Sequence, residues 1–403
     1  MVHGWRPPGA CATLRCVQPI WRLPEPRPPQ PLPPRADVVV VGGGITGVSA
    51  LHWLALRGID AVLLERDALA AGASGRNAGF LLMGVAANYA LAVRAYGRDV
   101  AREVWHFTAE SHALLADLLD HSRAGYAQRG STTLAASDEE ALLLRESAHL
   151  LHEDALPGRF VAPTLLINDA DGEVDPAAAV VAIADATPAA RIHDRVTVLG
   201  LESSRDDVRV HTEQGEIVAG TVILATNAYT STLAPSVPIA PVRAQMLATE
   251  PVDARVAQRP TYSHWGYRYW RQRDDGRVLL GGWRDTAVDD EVGTEAIPNA
   301  AVQRHLDRAL ETLDVTAPVS HRWAGIMGFS PDELPLVGAV AGVPNVYVCG
   351  GYTGHGMGFA VNATRTLVAH IVGNAPIPSW LSSERVTAPA SPAAPTRARP
   401  RRR

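Results

Sequence analysis

The sequence predicts an α/β fold in which a parallel sheet with covering helices is interrupted by an α+β insert built on an antiparallel sheet. Three observations carry that expectation. A strand–glycine–helix–strand run spans Asp37 to Glu65, and a second strand–glycine–helix run spans Asn345 to Val372. Between them, Val242 to Trp283 is strand-rich, with aromatic residues and turn signals. At 403 residues the chain exceeds one ordinary core, so two units assembled from discontinuous segments are expected.

Residues 1–35 hold ten prolines and read as an extended arm on the surface. Asp37 to Val41 is a short apolar strand, the helix after its glycine cluster ends near Gly58, and Ile59 to Glu65 is the next strand. This βαβ unit implies parallel pairing. Apolar residues recur at helical spacing from Tyr96 to about His121 and from Asp138 to Leu151. Another helix, Asp175 to Ala186, opens on Asp-Pro, a suitable cap and first turn. Val196–Leu201, Val208–Thr212 and Ile217–Ala219 read as a β-meander and Thr221–Thr226 as a buried strand. From Ser382 the chain is rich in Ala, Pro and Arg and ends in Arg401-Arg402-Arg403, a basic tail expected to be disordered.

Apolar residues make up 47% and charged residues 20%, ordinary globular usage, and the net charge of −5 argues against a nucleic-acid surface. No apolar run approaches the length of a membrane span. The chain contains no lysine, so its 37 basic residues are all arginine. A lysine Schiff base and the phosphate-binding lysine of a P-loop are therefore impossible. Cys11, Cys16 and Cys349 make neither a disulfide framework nor a metal site. With prolines interrupting any leader-like stretch, a reduced cytoplasmic protein is expected.

The first glycine run carries chemistry. Strand Asp37–Val41 enters Gly42-Gly43-Gly44-Ile45-Thr46-Gly47. The first glycine makes the tight turn, the second admits a pyrophosphate against the backbone, and Gly47 lets the helix pack on the strand. That helix start turns free N–H groups and a positive dipole end toward the phosphates. Glu65, at the end of the second strand, is placed to accept ribose hydroxyls and, with Arg66 beside it, disfavours a 2′-phosphate. The second run, Gly350-Gly351-Tyr352-Thr353-Gly354-His355-Gly356-Met357-Gly358, permits close approach to a flat ligand at another helix start.

These two runs, with Ala73-Ser74-Gly75-Arg76-Asn77-Ala78-Gly79, Ala225-Thr226-Asn227, Val278–Arg284 and Trp323–Pro335, resemble the D-amino-acid-oxidase-like flavoproteins. Within that family they look most like the glycine/sarcosine oxidase and γ-glutamylputrescine oxidase group. The resemblance runs from about Trp21 to Gly373. It implies a Rossmann-type FAD-binding domain, glutathione-reductase-like, over residues 36–105, 172–235 and 325–375. The inserted substrate domain would take residues 106–171 and 236–324, with the basic tail at 382–403. It further implies that Ser74, Arg76 and Asn77 lie along the pyrophosphate and the flavin ring, and that Val196 meets the adenine side. Gly354, His355, Gly356 and Met357 would meet the pyrimidine end, with Trp323 and Gly325 around the ring. Arg76 as a surface ion pair and Trp323 as plain core are the alternatives.

Some members tether flavin through a cysteine, whose position falls near Ile326-Met327 here, so non-covalent FAD is expected. The family's lysines for oxygen reactivity and for the substrate carboxylate fall at Leu279 and Gly358.

The implied activity is oxidation of an amine or amino acid by hydride transfer to flavin N5, giving an imine that hydrolyses. Oxygen, forming H2O2, or another acceptor then reoxidises the flavin. An oxidase is preferred to a dehydrogenase, and a non-catalytic flavin-binding protein is the remaining alternative. Pocket walls are expected from His264 through Trp270, including Tyr267, and from Gly281-Gly282-Trp283-Arg284. Arg284 either fixes a distal carboxylate or pairs with Asp285, and Tyr267 and Trp283 either wall the site or pack in the core. The chain lacks the Gly-Asp dipeptide of aromatic hydroxylases and the Cys-x-x-Cys of disulfide reductases.

Overall fold

A computed structural model describes residues 18–119 and 124–386. Cys11, Cys16 and the terminal arginines lie outside the described residues.

The first strand, Arg35–Val41, is the centre of an eight-stranded sheet. It runs parallel to Ala61–Leu64 on one side and to Gly215–Leu224 on the other. Arg191–His193 extends the sheet parallel on one flank and Val346–Gly350 on the other. Its central strands are buried on both faces: Val38, Val40 and Leu63 pack with helix residues such as Val48 and Leu51, and Val39, Val41, Val62 and Leu64 with Val208 and Val210 of the antiparallel strands and with Val237 and Ile239. Helix Ile45–Ala55 packs beside helix Gly356–Gly373, with the Trp53 indole donating to the Val361 carbonyl at 3.0 Å. Helix Arg98–Leu118 packs across the latter, where Asn362 donates to the Phe107 carbonyl at 3.1 Å.

A second eight-stranded sheet carries the insert. It pairs antiparallel except where Thr261–Ser263 meets Ser131–Leu134 in parallel. Helix Ala300–Thr312 covers it, setting Leu306 and Leu310 on Leu247, Val278 and Leu280.

Several elements differ from the sequence expectation. Ile217–Ala219 and Thr221–Thr226 fuse into one strand, Gly215–Leu224. Its first half pairs with Val208–Thr212 and its second with Val346–Gly350, so one extended backbone serves both neighbours. The helix expected from Tyr96 to about His121 is Arg98–Leu118, because Gly97, at a φ of 83°, separates it from a preceding helix not expected from the sequence, Tyr89–Tyr96. The tail expected to be disordered from Ser382 is ordered to Val386, because Arg385 pairs with Asp332 at 2.7 Å and Val337 N–H donates to the Leu381 carbonyl at 2.9 Å. Among the described residues no helix is long and apolar enough to cross a membrane.

Candidate active site

Between the two sheets lies a cleft of about 550 Å³, within the range of a cofactor or ligand pocket. Its nucleotide end is the turn after the first strand. Gly42 has φ +109° and packs so tightly on the Ala225 carbonyl that a Cβ there would come within 2.8 Å. Gly47 faces away from the cleft, where a Cβ would stand 1.8 Å from the Gly42 carbonyl oxygen, so it allows the helix to close on the strand. Helix Ile45–Ala55 has no side-chain cap and no acid in its first turn. Glu65 Oε2 accepts from the Gly43 N–H at 2.6 Å, and Ser74 Oγ accepts from the Ile45 N–H at 2.9 Å. The Gly44 and Thr46 N–H groups have no protein acceptor among the described residues. Burial raises the pKa of Glu65 against the opposing Asp67 and Gly43 backbone hydrogen bonds. Arg66, on the rim, pairs with Asp67 at 3.3 Å and stacks on the Tyr229 ring at 4.9 Å.

The loop 73–79 forms one wall. Arg76 donates to the Ala71 carbonyl at 2.9 Å and the Ala324 carbonyl at 3.1 Å, contacts that rule out the surface ion pair considered for it. Burial lowers its pKa. Asn77 spends its amide within the loop, donating to Ala73 and Ser74 carbonyls and accepting from the Gly79 N–H at 2.7 Å. Trp323 is fully buried and does not line the cleft; its indole donates to the Arg76 carbonyl at 2.9 Å. It is a core residue that also fixes the loop.

The far end belongs to the second glycine run. Gly354, His355, Gly356 and Met357 line the cleft and start helix Gly356–Gly373, which again lacks a side-chain cap. Gly351 stands outside the lining, donating its N–H to Asn227 Oδ1 at 2.9 Å. The Tyr352 hydroxyl meets Thr46 Oγ1 at 2.9 Å and so ties the two helix starts together. Val196, Ala225, Thr226 and Gly325 also line the cleft.

The insert supplies the remaining wall. Tyr262 and Tyr269 are directly opposed on neighbouring strands, with ring centroids 5.9 Å apart and Phe80 5.4 Å from Tyr262. Burial pushes both phenols well above their ordinary pKa. His355 stands 6.1 Å from Tyr262, ring to ring. Tyr267 lines the cleft, and Arg284 lies over its ring at 5.2 Å and over Phe329 at 5.1 Å. Asp285 is taken by Arg268, through two hydrogen bonds, one of them 3.0 Å from Nη2 to Oδ2. Arg284 therefore has no carboxylate partner among the described residues.

Besides Gly47, Gly351 and Trp323, two residues expected in the substrate wall are elsewhere. Trp283 turns away in a left-handed conformation (φ 59°) and stacks under Arg268 at 4.6 Å. His264 is exposed and bonded to Ser263 Oγ at 3.0 Å. Neither lines the cleft. Sequence reading missed Tyr262, Phe80, Met246 and Phe329, all of which do. One signal was present for the tyrosine pair. A Cβ on Gly281 would sit 2.2 Å from the Tyr269 ring, so the glycine pair 281–282 marks where that ring lies across the sheet.

The family model for FAD-dependent oxidoreductases of the DAO type matches residues 37–369. A probable oxidoreductase (OrdL) of Rhizobium meliloti (strain 1021) is 26% identical, covering 83% of each chain. The γ-glutamylputrescine oxidoreductase of Escherichia coli (strain K12) is 25% identical over 84% of each. Among solved structures, L-proline dehydrogenase from P. horikoshii superposes with a TM-score of 0.74 at 22% identity, covering 88% of this chain and 99% of that one. At that identity the likeness establishes the fold.

Proposed function

The chain belongs to the family of FAD-dependent oxidoreductases, and from that premise we propose that it oxidises an amine or amino acid that carries an anionic group. FAD, when bound, takes up a hydride at N5 from the carbon beside the amine. The residues present fit that cofactor. The two uncapped helix starts face one cleft, and its glycines leave no room for side chains where a dinucleotide lies against the backbone. In this reading Gly42–Thr46, Ser74 and Arg76 hold the pyrophosphate side, and Glu65 and Val196 the ribose and adenine. Gly354–Met357 hold the pyrimidine end. The strands of the parallel sheet form the FAD-binding unit, and residues 106–171 and 236–324 the substrate unit. Without a cysteine near Ile326-Met327, the cofactor is bound non-covalently.

Arg284 is the single observation that carries the substrate reading. Its guanidinium lies against two aromatic rings, 5.2 Å from Tyr267 and 5.1 Å from Phe329, while among the described residues it has no ion pair with a carboxylate. Its edge then offers a fork of N–H donors to a carboxylate. Tyr262, Tyr269 and Tyr267 line the same cleft and in this reading wall the space between that fork and the reacting amine. Loss of the hydride gives an imine, which water converts to a carbonyl compound and an amine or ammonia. Oxygen as acceptor, yielding H2O2, is the first reading. A dehydrogenase reading is favoured by one observation: the position matching the family's oxygen-activating lysine is Leu279, fully buried, in a chain without lysine.

The test is anaerobic bleaching of the bound flavin by a panel of amines with and without a carboxylate. Bleaching by the carboxylate-bearing members alone supports the reading, and bleaching by none of them refutes it. The rate of recolouring in air then separates oxidase from dehydrogenase.

A further inference from the structure

Residues 18–34, which precede the part of the chain matched by the family model, do not line the cofactor cleft but contact the 73–79 loop that walls it and Asp194. With a proline at many positions the segment cannot form its own ladder, and it is held by single contacts. Trp21 is 3% exposed, and its indole donates to the Asn77 carbonyl at 2.8 Å. The guanidinium of Arg271 lies 5.2 Å and that of Arg273 5.1 Å from the Trp21 ring centroid. Arg271 is itself buried and donates to the Gly79 carbonyl at 2.9 Å and the Val174 carbonyl at 3.1 Å. Trp21, Asn77, Gly79 and Arg271 thus close a ring around the end of the loop whose Ser74 and Arg76 line the cleft. Leu23 presses on Gly75 of the same loop, where a Cβ would come within 2.6 Å of its Cδ2.

Farther along, the Arg27 N–H donates to Asp194 Oδ2 at 2.7 Å, two residues before Val196 at the other end of the cleft. The arm then joins the sheet, the Pro34 carbonyl accepting from the Val218 N–H at 3.0 Å.

We propose that this arm is a latch on the FAD site, with Trp21 a positioning residue that fixes the 73–79 loop in its FAD-binding shape. The loop is gripped on one side by Trp323 through the Arg76 carbonyl and on the other by Trp21 through the next carbonyl, Asn77. Losing one grip leaves the fold in place but frees the wall on which the cofactor rests. The proposal rests on the FAD reading of the cleft.

The experiment titrates FAD into apoprotein of wild type, Trp21→Phe and Trp21→Ala, following flavin fluorescence and, separately, melting of the apoproteins. Trp21→Phe keeps a ring under the arginines and loses only the N–H donor. It should raise the FAD Kd roughly two- to tenfold, the worth of one hydrogen bond, with apoprotein melting nearly unchanged. Trp21→Ala should raise it further. A wild-type Kd in folded Trp21→Phe, or a lowered melting temperature with an unchanged Kd, overturns the latch. Wild-type protein that binds no FAD would overturn the cofactor reading instead.

Discussion

At the residue scale, neighbours decide what each arginine does. Arg284 is the chain neighbour of Asp285 and Arg268 lies 17 residues before it, yet the strand pairing gives the carboxylate to Arg268 and leaves Arg284 against the Tyr267 and Phe329 rings. Arg284→Met keeps the length and removes the charge. It is expected to raise KM for a carboxylate-bearing substrate about tenfold to a hundredfold, with kcat and FAD content little changed. An unchanged KM would assign Arg284 to stacking alone. The linear sequence favours the neighbour, Arg284; the antiparallel register that sets Arg268 opposite Gly282 gives the carboxylate to the distant arginine instead.

At the element scale, the site is made where strands end and helices begin. Gly47 shows why the residue type matters: Gly47→Ala would drive a Cβ into the Gly42 carbonyl. Helix and strand must then separate, and purified Gly47→Ala is expected to lose FAD, seen as missing visible absorbance. Gly281 lies on the other sheet and gives a contrasting outcome. Gly281→Ala displaces the Tyr269 ring but touches nothing at the nucleotide end. Substrate KM should rise while FAD Kd stays at the wild-type value, and a change in FAD Kd would contradict the division of labour between the sheets. The βαβ run was legible in sequence because its strand, glycines, helix and second strand are local. The wall made by Tyr262 and Phe80 was not, since a strand of three residues, Thr261–Ser263, has too few positions to show its period.

At the scale of the whole molecule, two buried groups set opposing pH responses. Asp171, holding the Met83 N–H and the Ser131 hydroxyl, is pushed up to about 7 by burial. The folded state therefore binds a proton that the unfolded chain releases near its ordinary pKa, and stability falls as pH rises from about 4 to about 7. His112 is pushed down to about 4 by burial, so the unfolded state holds the extra proton and stability falls as pH drops from about 6.5 to about 4. Asp171→Asn keeps an acceptor and a donor and removes the first effect. It should lose less melting temperature than wild type between pH 5.5 and about 8, by several degrees in a thermal scan. Equal losses in the two proteins would remove Asp171 as the source.

The sequence by itself determined the nucleotide turn, the second glycine run and the alternation of parallel and antiparallel segments. Each is written in residues that are neighbours in the chain, and glycine spacing and apolar period report local backbone directly. Tertiary structure alone decided the rest. It put Tyr262 beside Tyr269, took Trp283 and His264 out of the cleft, gave Asp285 to Arg268, and laid the proline-rich arm along the 73–79 loop. Those outcomes depend on register and on contacts across long separations, such as Trp21 with Asn77 and Arg76 with Ala324. No local pattern encodes which of several polar groups is nearest once distant strands meet.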